Sequence, residues 1–251
     1  MIQIIIPARY SSVRLPGKPL LKLNGVELIR HVYDIAYKAY KNWNENVPML
    51  RPIIATDSPE ISRFCESQNL SYCVTGSANT GTDRVFKALQ NLPEKPSVIV
   101  NLQGDEPLVP SDYLSEFCKS SLSTCCDNKI LNAFCPLPDN RAQDINNVKG
   151  IITSNGLVCF LTRLAQPAFI SGYKPAFYKQ MGLYSFTADS LEQFCNLPPS
   201  NLEALTNIEL LRWLDHGFKI ASHICPASTY SVDIVEDLLL VERMIDFRGI
   251  S

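Results

Sequence analysis

Short β-branched runs alternate with helix-period segments through the first half of the chain, and few folds accept that order. "QIII" at 3–6 predicts a strand, and "VELIRHVYDIAYKAYK" at 26–41 an amphipathic helix with Leu28, His31, Val32, Ile35 and Ala39 on one face. "RPIIATD" predicts the next strand, and "SPEISRFCESQN" a helix opened by a Ser N-cap, a Pro and a first-turn Glu. "SYCV", "TDRVFKALQNL" and "SVIVNLQGDEP" continue as strand, helix and buried strand. The rhythm implies a mostly parallel sheet flanked by helices and joined by right-handed crossovers.

Beyond about residue 135 the rhythm changes. "NNVKGIITSNGLVCFLTR" predicts a β-hairpin turning at Ser154-Asn155-Gly156. "YKQMGLYSFT" predicts a strand, "LEALTNIELLRWLDHG" a helical stretch, "KIASHIC" a strand, and the last helix begins near Ile234. The expectation is one α/β domain over residues 1–251, with an inserted hairpin region at roughly 135–195.

Composition narrows the class. Hydrophobic residues make up 46% and charged residues 19%, as in an ordinary globular chain, and the net charge of -2 argues against nucleic acid or membrane surfaces as partners. The apolar run in "MIQIIIPARY" is too short for a signal peptide and no stretch approaches a membrane span, so a cytoplasmic location is expected. Nine scattered cysteines, no C-x-x-C pair and three histidines speak against a disulfide framework or zinc site. They read instead as small core hydrophobes.

Chemistry collects at the expected strand ends, where open α/β sheets bind ligands. The loop in "IIPARYSSVRLPGKPL" at 5–20 carries Arg9, Arg14 and Lys18, which suit phosphate oxygens, with Ser11, Ser12 and Gly17 letting backbone N–H groups approach. It matches neither the Walker A pattern nor the dinucleotide G-x-G-x-x-G, and on charge alone a solvated basic turn is an equal reading. In "TGTDR", from Thr80 to Arg84, Gly81 permits unusual backbone and Thr82 is a candidate cap for a helix whose free N–H groups favour anions. "NLQGDEP" brings Gln103, able to donate and accept as base recognition requires, and Asp105, whose hard oxygens suit Mg²⁺. Asp233 in "SVDIVED" is the candidate second carboxylate, while Asp233 and Asp57 in "ATD", taken singly, each also read as a helix cap.

These segments, in this order and spacing, together with "NNVK", "FLTR" and "GLYSF", resemble the CMP-Kdo synthetases, the 3-deoxy-manno-octulosonate cytidylyltransferases, over nearly the whole chain. The resemblance implies a Rossmann-like nucleotidyltransferase fold with a dimerisation hairpin, a homodimer, and Mg²⁺ as cofactor. It implies CTP and a 2-keto-3-deoxy sugar acid as substrates, and a cell-surface polysaccharide as the destination. By motif, Ala8, Arg9 and Gln103 would lie around cytidine, with Ser11, Ser12, Thr80 and Gly81 in the nucleotide loops. Arg14, Lys18 and Arg84 would follow the phosphates, and Asp105 and Asp233 would hold the metal. Arg14, Lys18, Asp105 and Asp233 form the implied catalytic set, and the sugar's C2 hydroxyl would attack the α-phosphorus.

The sugar side would use Gln180, Tyr184, Glu209 and Leu210, and there the chain departs from the family. Gln180 stands where a His is usual, Leu210 where a Gln is usual, and Thr206 where an acidic residue is common. Lost hydrogen-bonding groups change which sugar is accepted. A synthetase for Kdo, a paralogue for a related ulosonic acid and a non-catalytic nucleotide-binding regulator all remain open at this point.

Overall fold

The computed structural model describes residues 1–12, 14–124, 130–138, 141–164 and 177–248. Strand β1 (Ile2–Ala8) is an interior strand of a sheet that is nine-stranded among the described residues. Its pleat sends Ile2, Ile4 and Ile6 to one core cluster and Ile5 to the other, so a continuous apolar run serves two faces. Each such side chain, fully buried, contributes about 1.5–3 kcal/mol. After β1 come the short strands β2 (Lys22–Leu23) and β3 (Val26–Glu27), helix α1 (Leu28–Lys41), β4 (Ile53–Thr56), α2 (Pro59–Ser67) and β5 (Tyr72–Val74). Next are α3 (Gly81–Gln90), β6 (Val98–Leu102), α4 (Ser111–Thr124) and β7 (Ile130–Pro136). The hairpin β8 (Lys149–Ile152) and β9 (Val158–Thr162) precedes β10 (Tyr178–Thr187), α5 (Ala188–Asn196), α6 (Asn201–Thr206), α7 (Leu211–Asp215), β11 (Ile220–Ile224) and α8 (Val235–Arg248).

The main sheet runs β11-β7-β10-β6-β1-β4-β5, all parallel except β10, which is antiparallel to both neighbours. The predicted α/β class and mostly parallel sheet are observed. The insertion is narrower than the change of rhythm suggests: β10 belongs to the main sheet, and the β8–β9 hairpin attaches to it through Tyr178 and Lys179. Gly156, at φ 78, closes the hairpin where the turn was expected. Residues 165–176 of that region, and Cys125 and Cys126, lie outside the described residues. The seven described cysteines are free, and Cys65, Cys118, Cys135 and Cys225 are buried.

Three local expectations are corrected. Helix α1 starts at Leu28, after β3 takes up Val26 and Glu27. It buries Ile29, Tyr33 and Ala36 beside Leu28, Val32 and Ala39, while His31 and Ile35 are half-buried, so the buried stripe is centred one position further round than expected. Thr80, not Thr82, caps α3: its side chain accepts from the Asp83 N–H, and the Asp83 side chain accepts from the Thr80 N–H. The stretch at 202–217 is not one helix. Asn207 adopts φ 53 and ends α6, so α7 sets off afresh.

Candidate active site

A cavity of about 780 Å³ opens beyond the carboxyl ends of β1 and β6. Convergence depends on one backbone link: the Val232 N–H donates to the Asp105 carbonyl at 2.9 Å, which sets the strand-end loop after β6 beside the segment leading into α8. Leu15, Leu108 and Val232 pack in one small apolar cluster with Val241 and Ile245, drawing in the opening loop. The Lys18 ammonium donates to Asp105 Oδ2 at 2.6 Å, to the Val232 carbonyl at 2.9 Å and to Asp233 Oδ1 at 3.4 Å. Arg14 reaches the same Asp233 oxygen at 3.0 Å. Burial alone would lower the Lys18 pKa, but Asp105 and then Asp233 more than reverse this and hold it above its ordinary value.

Most of the predicted nucleotide-side residues line the cavity: Ala8, Arg9, Ser12, Arg14, Lys18, Thr80, Gly81, Arg84, Gln103, Asp105 and Asp233. Ser11 is exposed and is not part of the wall. Gly17 serves the loop differently from the expectation. Its N–H is spent on the Tyr10 carbonyl at 3.1 Å, and its φ of 68 makes the left-handed turn that feeds Lys18 inward. Arg84 is buried and committed to Asp57 Oδ2 at 2.9 Å and Thr75 Oγ1 at 2.8 Å. Asp57 is therefore an ion-pair partner, and the cap of α2 is Ser58, which accepts from the Ile61 N–H.

The opposite wall depends on the reversed strand. Because β10 is antiparallel, and Leu183 pairs with Leu102 at the end of β6, residues 179–182 project past that end into the cavity. A register shift between Gln180 and Tyr184 makes a bulge there, filled by the buried Asn132, whose amide donates to the Met181 and Leu183 carbonyls. At Gly182 the backbone passes so close to Gln103 that a Cβ would sit 2.9 Å from the Gln103 Cβ. Its N–H donates to Glu106 Oε1 at 2.8 Å and its carbonyl accepts from the Gln103 N–H at 2.8 Å.

All four expected sugar-side residues, Gln180, Tyr184, Glu209 and Leu210, line this wall. Gln180 donates its amide to Asn132 Oδ1 at 2.9 Å, and Leu210 is buried in the cluster that holds Phe194 and Trp213. Burial pushes the Glu209 carboxyl up, with the Thr80 and Thr82 hydroxyls pulling the other way, and burial followed by the Glu209 charge pushes the Tyr184 phenol up. Arg163, Lys179 and Glu106 also line the cavity and had no assigned role in the sequence reading. Arg163 donates to the carbonyls of Thr206, Ile145, Asn146 and Asn207 and meets no carboxylate among the described residues. Lys179 is buried with the Thr229 carbonyl and Ser231 Oγ each at 3.3 Å. A lysine inside a strand whose neighbours are mostly buried was the available signal for Lys179. "FLTR" contained Arg163 without revealing that it faces the cavity.

Residues 3–220 match the cytidylyltransferase family model. The chain belongs to the cytidylyltransferase family. Among its relatives in that family, the 3-deoxy-manno-octulosonate cytidylyltransferase of Syntrophobacter fumaroxidans is 36% identical, with 93% of this chain and 92% of the relative covered. That of Anaeromyxobacter sp. (strain Fw109-5) is 34% identical, with 94% and 93% covered. A CMP:2-keto-3-deoxy-manno-octonic acid synthetase solved in complex with CTP superposes with a TM-score of 0.86 at 25% identity, covering 98% of this chain and 99% of that one. The basic opening loop thus lines the cavity with Arg9, Arg14 and Lys18.

Proposed function

We propose that this cytidylyltransferase joins CMP from CTP to 3-deoxy-D-manno-octulosonate (Kdo), releasing diphosphate, in the synthesis of a cell-surface polysaccharide. The observation that carries the reading is the cluster in which Lys18 meets both Asp105 and Asp233 while Arg14 meets Asp233, at the mouth of a cavity that also holds Gln103. The sugar's C2 hydroxyl oxygen forms a bond to the α-phosphorus as the bond from that phosphorus to the bridging oxygen breaks and diphosphate leaves. Arg14 and Lys18 bind the phosphoryl oxygens and offset their charge, Gln103 orients the base, and Asp233 is positioned to receive the hydroxyl proton.

Asp105 and Asp233 suit Mg²⁺, since their oxygens already share one cation, the Lys18 ammonium, and Mg²⁺ is commonly held by one or two carboxylates plus substrate phosphates. Mg²⁺ there would supply further neutralisation of phosphoryl charge. Diphosphate release on mixing CTP, Mg²⁺ and a panel of sugar acids tests the reading. Kdo-dependent release supports it, and silence with every acid despite CTP binding would sink it.

A second reading has its own observation. Leu210 joins the apolar core and Gln180 is tied to Asn132, so this wall favours a related ulosonic acid with a less polar substituent. The same panel separates the two by rank order. We further propose a cytoplasmic enzyme, where CTP is made, and a homodimer through the β8–β9 hairpin, whose Phe160 is exposed. Light scattering of wild type and Phe160→Asp tests the dimer, and a monomeric wild type would refute it.

A further inference from the structure

Asn101, Thr82 and Glu209, drawn from three separate parts of the chain, form a hydrogen-bonded series beside the cavity. Asn101 lies in β6, Thr82 in the first turn of α3, and both are fully buried; Glu209 lies between α6 and α7 and lines the cavity. Asn101 Nδ2 donates to Thr82 Oγ1 over 3.3 Å, and Thr82 Oγ1 donates to Glu209 Oε2 over 2.9 Å. An amide nitrogen can only donate, so the Thr82 oxygen must accept from it, and the one hydroxyl proton is directed at Glu209. That commits Oε2 as an acceptor. The other oxygen, Oε1, is buried and has no hydrogen-bond partner among the described residues. A buried carboxylate oxygen left bare is costly, and a ligand hydroxyl arriving there removes the cost.

We propose that Thr82 is a positioning residue for the sugar-acid site, its hydroxyl locking Glu209 so that Oε1 is the atom offered to a hydroxyl of the incoming sugar. The inference rests on the cytidylyl-transfer reading above. It also gives α3 a double duty: Thr80 and Gly81 face the cavity at its N-terminus, while Thr82 reaches the carboxylate on the other wall. The Thr80 hydroxyl, Asp83 and Arg212 also act on Glu209, the Tyr184 phenol and Cys195 thiol face it, and none of these is altered by changes at Thr82.

Thr82→Val keeps the shape and removes the proton, whereas Thr82→Ser keeps the hydroxyl. The valine variant should raise the KM for Kdo about tenfold while the KM for CTP stays within about twofold, and the serine variant should restore the wild-type value. A carbon-13 NMR titration of the Glu209 carboxyl should show its pKa rising in the valine variant and returning in the serine variant, because a donor to the ionised form is lost and regained. Both KM values rising together, no rescue by serine, or an unmoved Glu209 titration would overturn the proposal. The last result would mean that the Asn101 amide is turned, its oxygen rather than its nitrogen meeting Thr82 and taking the hydroxyl proton. If wild type releases no diphosphate with any sugar acid, the cytidylyl-transfer reading fails instead. The Glu209 titration then decides the Thr82–Glu209 lock by itself.

Discussion

The two walls of the cavity hold their cations in different ways. On the wall proposed for the nucleotide, Arg14 and Lys18 meet Asp233, Lys18 also meets Asp105, and Arg84 meets Asp57. On the wall proposed for the sugar, Arg163 and Lys179 meet carbonyls and a hydroxyl, with no carboxylate within ion-pair distance among the described residues. The first arrangement has charge already balanced and can exchange partners when phosphates arrive. The second holds its cations without direct ion pairs, with Asp233 acting on Arg163 and Glu106 on Lys179 only at longer range, which would suit a carboxylate-bearing substrate. Direct ion pairing is thus built into one wall and is absent from the other among the described residues.

The sharpest way to break this comparison is at the balanced wall. Asp105→Asn should lower Mg²⁺-dependent kcat/KM roughly a thousandfold or more while the thermal unfolding curve stays close to wild type. Unchanged turnover would remove Asp105 from the metal assignment. Asp57→Asn leaves the buried Arg84 without a counter-charge and should cost about 3 kcal/mol in urea unfolding, a loss that a merely surface pair would not produce.

At the other wall, Gln180→His with Leu210→Gln should improve kcat/KM for Kdo relative to other ulosonic acids by about tenfold, read from competing-substrate rates. Equal changes for every acid would mean that these positions do not select the sugar.

The smallest effect concerns Glu209. Burial holds its carboxyl above the ordinary range, so as pH rises the unfolded chain gives up this proton before the folded protein does. The stability contributed by the neutral carboxyl is full below the unfolded value and is lost as pH climbs toward the folded one. Glu209→Gln stays neutral throughout, so its stability should fall less steeply than that of wild type across this window, by at most about 1.4 kcal/mol per pH unit. Superimposable pH profiles from urea unfolding would contradict the assignment.

Local patterns were sufficient for much of the frame. Apolar runs such as "QIII" and "VIV", the Ser58 cap and the Gly156 turn each declare their element within a few residues, because burial period and backbone preference are short-range. The charged strand ends were legible for the same reason. Lys18, Asp105 and Asp233 each sit at the end of an apolar run or just before a helix, and the crossover rule already placed strand ends of a parallel sheet on one edge.

Other features needed the folded chain. Nothing near Arg84 in sequence announces Asp57, and nothing near Thr82 announces Glu209; both pairs form only when α3 packs against neighbours far away along the chain. The direction of β10 decided that residues 179–182 reach the cavity, and its bulge depends on Asn132 from another strand. The sequence by itself therefore determined the sheet, the strand-end loops and the nucleotide chemistry, all of which follow from local period and side-chain type. Tertiary structure alone decided which cations are already paired, which carboxylate oxygen is left bare and how the sugar wall is shaped. Those depend on contacts between residues that share no local signal, and their energies exist only once the groups have been taken out of water together.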